Sequence, residues 1–539
     1  MAKYFNQPEK MNSSARFSQA PQAEIERSKF DRSHGVKTTF NAGQLIPVYL
    51  DEVLPGDTFT MHSTGFCRMA TLLKPIMDNL YLDTHYFFVP NRLVWDNWQR
   101  FMGEQDNPTD NPGDYSVPKT PFNLANGGGT LADYFGVPVG QTSSQHQISA
   151  LPFRAYTLIW NEWYRDENIQ DSLVFSKGDG PDAWGATMPA YRNKRKDYFT
   201  SALPWPQKGD SIFIPLGTSA PVVGDPNQAI QIAASASNNT PRTMILGPDA
   251  NTSGQGNLGY GGALVTGNLI AFLADQDSGM IADLTQATAI TINDLRTAFQ
   301  IQKLLERNAR GGTRYIELVL AHFGVSSPDL RAIRPVYLGG GSTPISVNPV
   351  AATANVIDET IQGDLSAYAT GVQNAGFSHS FTEHGYVMGI VSVRSDLTYQ
   401  NGIERHWKRT TRYDYYWPAT AHLGEQSIRN WELQCVGDDL VDNEVFGYQE
   451  RHAEYRYKPS RITGKFRSSD PTSLDFWHTA QDFADQPVPL NSYFLADLPA
   501  VQRVVAVPSE PHFLLDMWFS LQCARPMPVY AVPGLVDHF

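Results

Sequence analysis

Charge, cysteine and long apolar runs are all scarce in this 539-residue chain, and each shortage removes a class of function. The three cysteines, Cys67, Cys435 and Cys523, lie far apart and form no C-x-x-C pair. That excludes a disulfide framework and a thiolate zinc site, and predicts buried free thiols. No run of about 18 apolar residues occurs, so no membrane-spanning helix is expected. The first residues, Met1-Ala2-Lys3-Tyr4-Phe5-Asn6, carry no apolar h-region, so no secretory leader is expected. The N-x-Ser/Thr triplets at Asn12, Asn238 and Asn251 are then chance matches. Charged residues make up 18%, and acidic residues outnumber basic ones 55 to 42, for a net charge of −13. Nucleic acid would not be drawn to the chain as a whole, so any contact with it must come from a local basic face.

Catalytic signatures are missing too. No H-E-x-x-H, G-x-S-x-G or G-x-x-x-x-G-K-[ST] occurs. The runs Gly127-Gly128-Gly129 and Gly339-Gly340-Gly341 lack a following Lys-Ser/Thr and read as turns with positive φ. Asp438-Asp439 and Glu383-His384 are isolated pairs of common residues. No catalytic residue, metal ligand or cofactor is expected.

Aromatics and turn formers, by contrast, are plentiful. Aromatic residues reach 12%, as 24 Tyr, 28 Phe and 11 Trp, and there are 42 Gly and 36 Pro. Flat side chains in that number suit large contact surfaces, or stacking on sugars or bases. Strands are predicted at 45–50, 58–62, 81–89 and 386–394. The clearest is 512–523, where Phe513, Leu515, Met517, Phe519 and Leu521 alternate with their neighbours and should share one buried face. Helices are predicted at 92–102, 153–165, 294–309 with Asn293 as N-cap, and 313–323, stopped by Gly324. Strands at both ends with helices between them fit a mainly β fold: an antiparallel barrel or sandwich with large insertions.

Four segments are expected: a basic N-terminal arm (1–40), a first part of the β domain with inserted helices (41–216), a surface insertion (217–290), and the rest of the β domain (291–539). The arm holds seven basic against four acidic residues. The insertion has Arg242 as its only basic residue against five aspartates, and only Tyr260 and Phe272 as aromatics. Its short apolar runs, such as 263–265 and 269–273, suggest a small β-rich lobe rather than a linker.

Basic residues interleave with aromatics in one stretch. From Arg451 to Arg467 lie Arg451, Arg456, Lys458, Arg461, Lys465 and Arg467 against Glu454 alone, with Tyr455, Tyr457 and Phe466 among them. Cations along phosphates and rings stacked on bases hold single strands in this way; a solvated face or intersubunit salt bridges would use the same residues. Two further clusters are Arg405-His406-Trp407-Lys408-Arg409 with Arg412-Tyr413, and Arg192-Asn193-Lys194-Arg195-Lys196. The aromatic segment Tyr413 to Pro418, with Tyr415, Tyr416 and Trp417, suits contacts between chains.

Phe30-Asp31-Arg32-Ser33-His34-Gly35, the stretch Val48 to Asp57, and Thr84-His85-Tyr86-Phe87-Phe88-Val89-Pro90-Asn91-Arg92 resemble microvirus major capsid proteins, the gokushovirus branch in particular. The likeness recurs at Trp160 to Asp166, Glu306 to Glu317, Arg334 to Ser342 and Tyr455 to Ser460, and leaves 217–290 unmatched. It implies an eight-stranded antiparallel jelly roll with long inserted loops and a few short helices. It implies self-assembly into a T=1 icosahedral virion around circular single-stranded DNA, made in a bacterial host's cytoplasm. The insertion would then be a threefold protrusion meeting a host surface receptor, with Leu269, Ile270 and Phe272 expected where copies touch. Implied partners are an internal scaffolding protein, a small basic DNA-binding protein and a DNA pilot protein. The competing reading is a β-rich carbohydrate-active enzyme or lectin, which would need two carboxylates flanking one cleft.

Overall fold

The computed structural model describes residues 26–530 except 108, 124, 126, 142–144, 185–186, 211, 213–221, 225–230, 235–241, 247–257, 261–269, 273–279, 283–291, 326–332, 354–362 and 484–486. Two compact units result: one from Met1–Pro206 with Gly311–Phe539, the other from Gln207–Arg310.

Nine strands make the main sheet of the first unit: β1 (Ser28–Asp31), β2 (His34–Phe40), β3 (Ile46–Val53), β4 (Thr58–Met69), β5 (Leu80–Pro90), β6 (Val336–Ala351), β7 (Leu365–Ser380), β8 (Gly385–Ser395) and β9 (Phe513–Arg525). Their order is β1-β9-β4-β7-β6-β5-β8-β3, every pair antiparallel, with β2 also on β9. Because β1 and β2 lie end to end along one edge of β9, the sheet is eight strands wide.

The sheet curls until its two ends meet. The Tyr49 ring on β3 lies 5.2 Å from Phe519 on β9 and 5.8 Å from His34 on β2. Beside them Arg32 donates to Asp51 at 3.0 Å. Curling hides the edges that an open sheet would expose, and it gives the antiparallel jelly-roll architecture its single interior. Phe59, Met61, Leu82, Val391 and the five alternating residues Phe513, Leu515, Met517, Phe519 and Leu521 fill that interior. Leu514, Asp516, Trp518, Ser520 and Gln522 face outward, as the period of two requires.

Strand β8 is buried on both faces, which explains why its first seven residues, Gly385 to Val391, carry no charged side chain. Val387, Val391 and Val393 point inward; Tyr386, Met388 and Ile390 join a second core with Trp95 and helix α1 (Leu151–Ile159). That helix runs on as a π-turn, Trp160–Tyr164, matching the 153–165 expectation. The helix expected at 92–102 does not form as one piece. It is a 3₁₀ turn at Asn91–Leu93 and a short helix at Trp98–Phe101, because Trp95 is drawn fully into the second core and donates its indole N–H to Asp179 at 2.7 Å.

Two further expectations are corrected. Gly339-Gly340-Gly341 is not a turn but part of β6, in extended backbone. A Cβ on Gly340 would sit 2.2 Å from the Thr84 carbonyl oxygen of β5, so glycine serves close strand approach there. Residues 28–40, read as the end of an arm, are edge strands; Lys37 pairs with Asp516 on the outer face at 3.0 Å, and edge strands accommodate such charges. Residues 1–25 lie outside the described set.

A third core, built from Tyr198, Phe199, Tyr399, Ile428, Leu433, Phe446, Phe494 and Leu495, underlies the lobe formed by residues 398–467. The helix expected at 313–323 forms as Tyr315–Phe323 and ends at Gly324, whose φ of 69° is left-handed, as expected.

The unit Gln207–Arg310 contains a four-stranded sheet, ordered Leu258–Tyr260, Arg242–Leu246, Gln231–Ala234 and Ile270–Phe272, and a pair formed by Val222–Gly224 and Met280–Ala282. Its helix, Ile292–Arg310, begins one residue before Asn293, which therefore lies in the first turn rather than capping it. Ile270 and Phe272 pair with Ala234 and Ile232; Leu269 lies outside the described residues.

Candidate nucleic-acid interface

Two of the three basic clusters meet in one place. Thr398–Tyr399 pairs in parallel with Ser460–Arg461, which ties the 451–467 segment to the 398–413 segment. The chain reverses at His452, whose φ of 61° is the single left-handed non-glycine value among the described residues. That buried reversal is fixed by the Gln426 side chain accepting from the His452 backbone N–H at 3.1 Å. It leads into the 3₁₀ turn Ala453–Tyr455, which buries Ala453 and presents Tyr455 and the residues after it to the surface.

Between the segments lies a cleft of about 420 Å³. Its wall includes the buried rings of Tyr198, Phe199 and Tyr399, and its lining also carries the exposed rings of Trp407, Tyr455 and Tyr457. Arg405, Arg409, Lys458, Arg461 and Arg467 are its permanent cations. Each is held. Arg405 pairs with Glu432 at 3.2 Å, and Arg409 pairs with Glu454 at 3.2 Å while stacking over the rings of Tyr455 (4.5 Å) and Tyr415 (5.0 Å). Lys458 and Arg461 share Glu404, the latter at 2.9 Å. Arg467 donates to the Gln400 carbonyl at 2.7 Å. Arg456 pairs with Glu450, Arg451 donates to the Tyr413 carbonyl at 3.1 Å, and Lys465 is exposed.

Burial sets the electrostatics of the floor. It pushes the Glu432 carboxyl above the usual range, although Arg405, the Arg429 backbone N–H and the Tyr198 hydroxyl all act to keep it ionised. At the mouth the sign reverses: the Lys458 hydrogen bond, with the charges of Lys458 and Arg461, holds Glu404 below its ordinary value. Within 451–467 the sequence sets only Glu454 against six cations. Glu404 and Glu450 also belong to the site, and nothing in the linear pattern marks them as its counter-ions.

In the third basic cluster Arg192 and Lys194 are structural, while Arg195 and Lys196 are exposed. Arg192 donates to Asp83 at 2.8 Å and to Ser392 at 2.9 Å. Lys194 donates to the Phe494 carbonyl at 2.5 Å, and burial lowers its pKa to about 8. Both side chains are buried, because the segment crosses between the main sheet and the third core. Asp438 caps the turn that follows it, Glu383 pairs with Arg92 at 2.7 Å, and the His384 ring packs on Trp98. Tyr415, Tyr416 and Trp417 are half exposed beside the cleft, with Trp417 donating to the Arg412 carbonyl at 2.9 Å. Among the described residues, no group of three or more His, Cys, Asp or Glu side chains could hold a metal ion.

Comparison with known proteins accounts for nearly the whole chain. Residues 18–535 match the family described as capsid protein (F protein). The chain is 43% identical to capsid protein VP1 of Chlamydia phage 1, over 96% of this chain and 97% of that one. It is 43% identical to capsid protein VP1 of Bdellovibrio phage phiMH2K (97% and 98% covered), and 36% identical to that of Spiroplasma virus 4 (95% and 96%). These relatives are structural proteins, so the carbohydrate-active reading is set aside. The chain belongs to the phage capsid protein (F protein) family, as a microvirus-type major capsid protein that assembles with its own copies into the virion shell and is not an enzyme.

Proposed function

We propose that copies of this chain close a T=1 icosahedral shell around a circular single-stranded DNA genome, with the cleft between residues 398–413 and 451–467 facing the interior. One observation carries this reading. Two segments some fifty residues apart, each rich in cations and rings, converge on one surface. Packaging requires phosphate neutralisation and base stacking without sequence reading, which arginine, lysine, tyrosine and tryptophan supply. Arg451, Tyr455, Arg456, Tyr457, Lys458, Arg461, Lys465 and Arg467 are the assigned DNA-facing residues. Replacing Arg456, Lys458 and Arg461 together with alanine tests the assignment: particles should form but retain less DNA, and normal DNA content would overturn it.

The same reading assigns other surfaces. Tyr415, Tyr416 and Trp417 serve contacts between neighbouring subunits, where rigid rings offer area at small entropic cost. Residues 217–290 form a threefold protrusion that meets a receptor on the bacterial surface, with Leu269, Ile270 and Phe272 at the contact between copies. An internal scaffolding protein, a small basic DNA-binding protein and a DNA pilot protein join the particle, which assembles in the host cytoplasm. Resemblance to gokushovirus capsid proteins supports the protrusion and the partner proteins; aromatic composition supports the subunit contact, and the few apolar residues of 217–290 support the contact between its copies.

A further inference from the structure

We propose that Glu404 occupies the place that a nucleic-acid phosphate takes in the cleft, and that single-stranded DNA binds by displacing it from Lys458 and Arg461. The proposal rests on the DNA-facing role of the cleft given above and adds how that site is regulated.

The carboxylates in the cleft differ in what they hold. Glu432 is almost fully buried; it accepts from the Tyr198 hydroxyl at 2.9 Å and the Arg429 backbone N–H at 3.0 Å as well as pairing with Arg405. Glu454 is paired with Arg409, whose side chain is itself buried, and also accepts from Gln426 at 2.6 Å. Both are fixed parts of the fold. Glu404 instead sits at the mouth, where its carboxylate meets cations or potential cations: Lys458, Arg461 at 2.9 Å and the His406 ring at 3.1 Å. Lys458 and Arg461 are 69% and 64% exposed, against 27% for Glu404.

That geometry is the one a phosphate would adopt. One anion receives an ammonium on one oxygen and a guanidinium on the other, in a cleft that the exposed rings of Trp407 and Tyr457 also line. The volume of the cleft falls in the ~300–1,000 Å³ range of small-ligand sites, enough for one nucleotide. Exposed ion pairs are weak and exchange readily, so an incoming phosphate can take over both cations while its base stacks on the rings. Glu404 then has two effects. It keeps Lys458 and Arg461 converged before DNA arrives, and it lowers the affinity of an unassembled subunit for any polyanion.

The test is binding of fluorescein-labelled oligo(dT) to the full chain by fluorescence anisotropy at fixed salt, in a double-mutant cycle. Glu404→Gln, close to isosteric, should tighten binding by about 3–10-fold, and the combined Lys458→Ala, Arg461→Ala variant should weaken it. In the Lys458→Ala, Arg461→Ala background, Glu404→Gln should change affinity by less than about 1.5-fold, since it has nothing left to release. An undiminished gain in that background would mean a general charge effect and would overturn displacement. Weakened binding by Glu404→Gln alone, with melting unchanged, would make Glu404 a positioning residue and also overturn it. If the wild-type chain does not bind oligo(dT), or Lys458→Ala, Arg461→Ala leaves binding unaltered, the DNA-facing reading itself fails.

Discussion

Phe519 tests the closure of the sheet. Its side chain is fully buried on β9, with ring centroids 5.2 Å from Tyr49 on β3 and 5.3 Å from His34 on β2. Strands β3 and β9 lie near opposite ends of the sheet order, so they touch only because the sheet curls. Phe519→Ala removes the ring that joins them, and a buried Phe→Ala change costs about 3–5 kcal/mol. Trp518, next along the strand, has a larger ring but points outward and is 55% exposed. Trp518→Ala should cost only about 1–2 kcal/mol, from the half of its surface that packs. With an unfolding entropy of roughly 1 kcal/mol per kelvin for a chain of this length, the two variants should lower Tm by about 3–5 °C and about 1–2 °C. Calorimetry of the unassembled subunit reads both. A larger loss from Trp518→Ala than from Phe519→Ala would put β9 one residue out of register and invert the buried face.

Other outcomes follow from single contacts. Gly340→Ala places a methyl group 2.2 Å from the Thr84 carbonyl and should abolish soluble expression, whereas Gly127→Ala, with nothing within 4 Å, should not; equal yields would refute the close strand approach. Trp417→Ala should reduce particle formation, measured by sedimentation, while leaving subunit melting unchanged; parallel losses of both would count against an intersubunit role. Burial depresses the folded-state pKa of His512, whose Nδ1 accepts the Ala42 backbone N–H at 3.3 Å. The stability it supports is complete above its unfolded pKa of ~6.5 and is lost as pH falls through that value toward the folded pKa. The Tm gap between wild type and His512→Gln should therefore narrow from pH 7 to pH 5, and a constant gap would exclude this source of acid sensitivity. Replacing 217–290 with a short Gly-Ser linker should leave particles that assemble but no longer adsorb to cells; normal adsorption would refute the attachment role.

Strand β9 was legible in the sequence because one face meets the interior and the other meets solvent, which writes a period of two into its residues. Strands β6 and β7, sixteen residues each, were not. Their glycines, at 339–341, 371 and 376, stand where neighbouring backbones crowd the strand, and in a linear reading they look like turn signals. The helix expected at 92–102 failed for a different reason: its aromatic spacing is helical, but burial of Trp95 breaks the rod. At the candidate site, composition found the cations and rings and missed their counter-ions. Glu404 lies more than fifty residues from Lys458 and Arg461, and Glu432 reaches Arg405 from another turn of the chain. Arg192 and Lys194 are the same residue types as the interface cations, yet burial and partners, which no local pattern encodes, make them part of the framework.

A side-chain-resolution reconstruction of DNA-filled particles would show which way the cleft faces and what occupies it. Expected is a T=1 shell with the Arg405, Lys458 and Arg461 cleft on its inner surface, and nucleotide density in contact with Lys458 and Arg461 at the position that the Glu404 carboxylate holds in the subunit described above. A shell that turns this cleft to the outside, or fills it with a neighbouring subunit, would contradict the DNA-facing role.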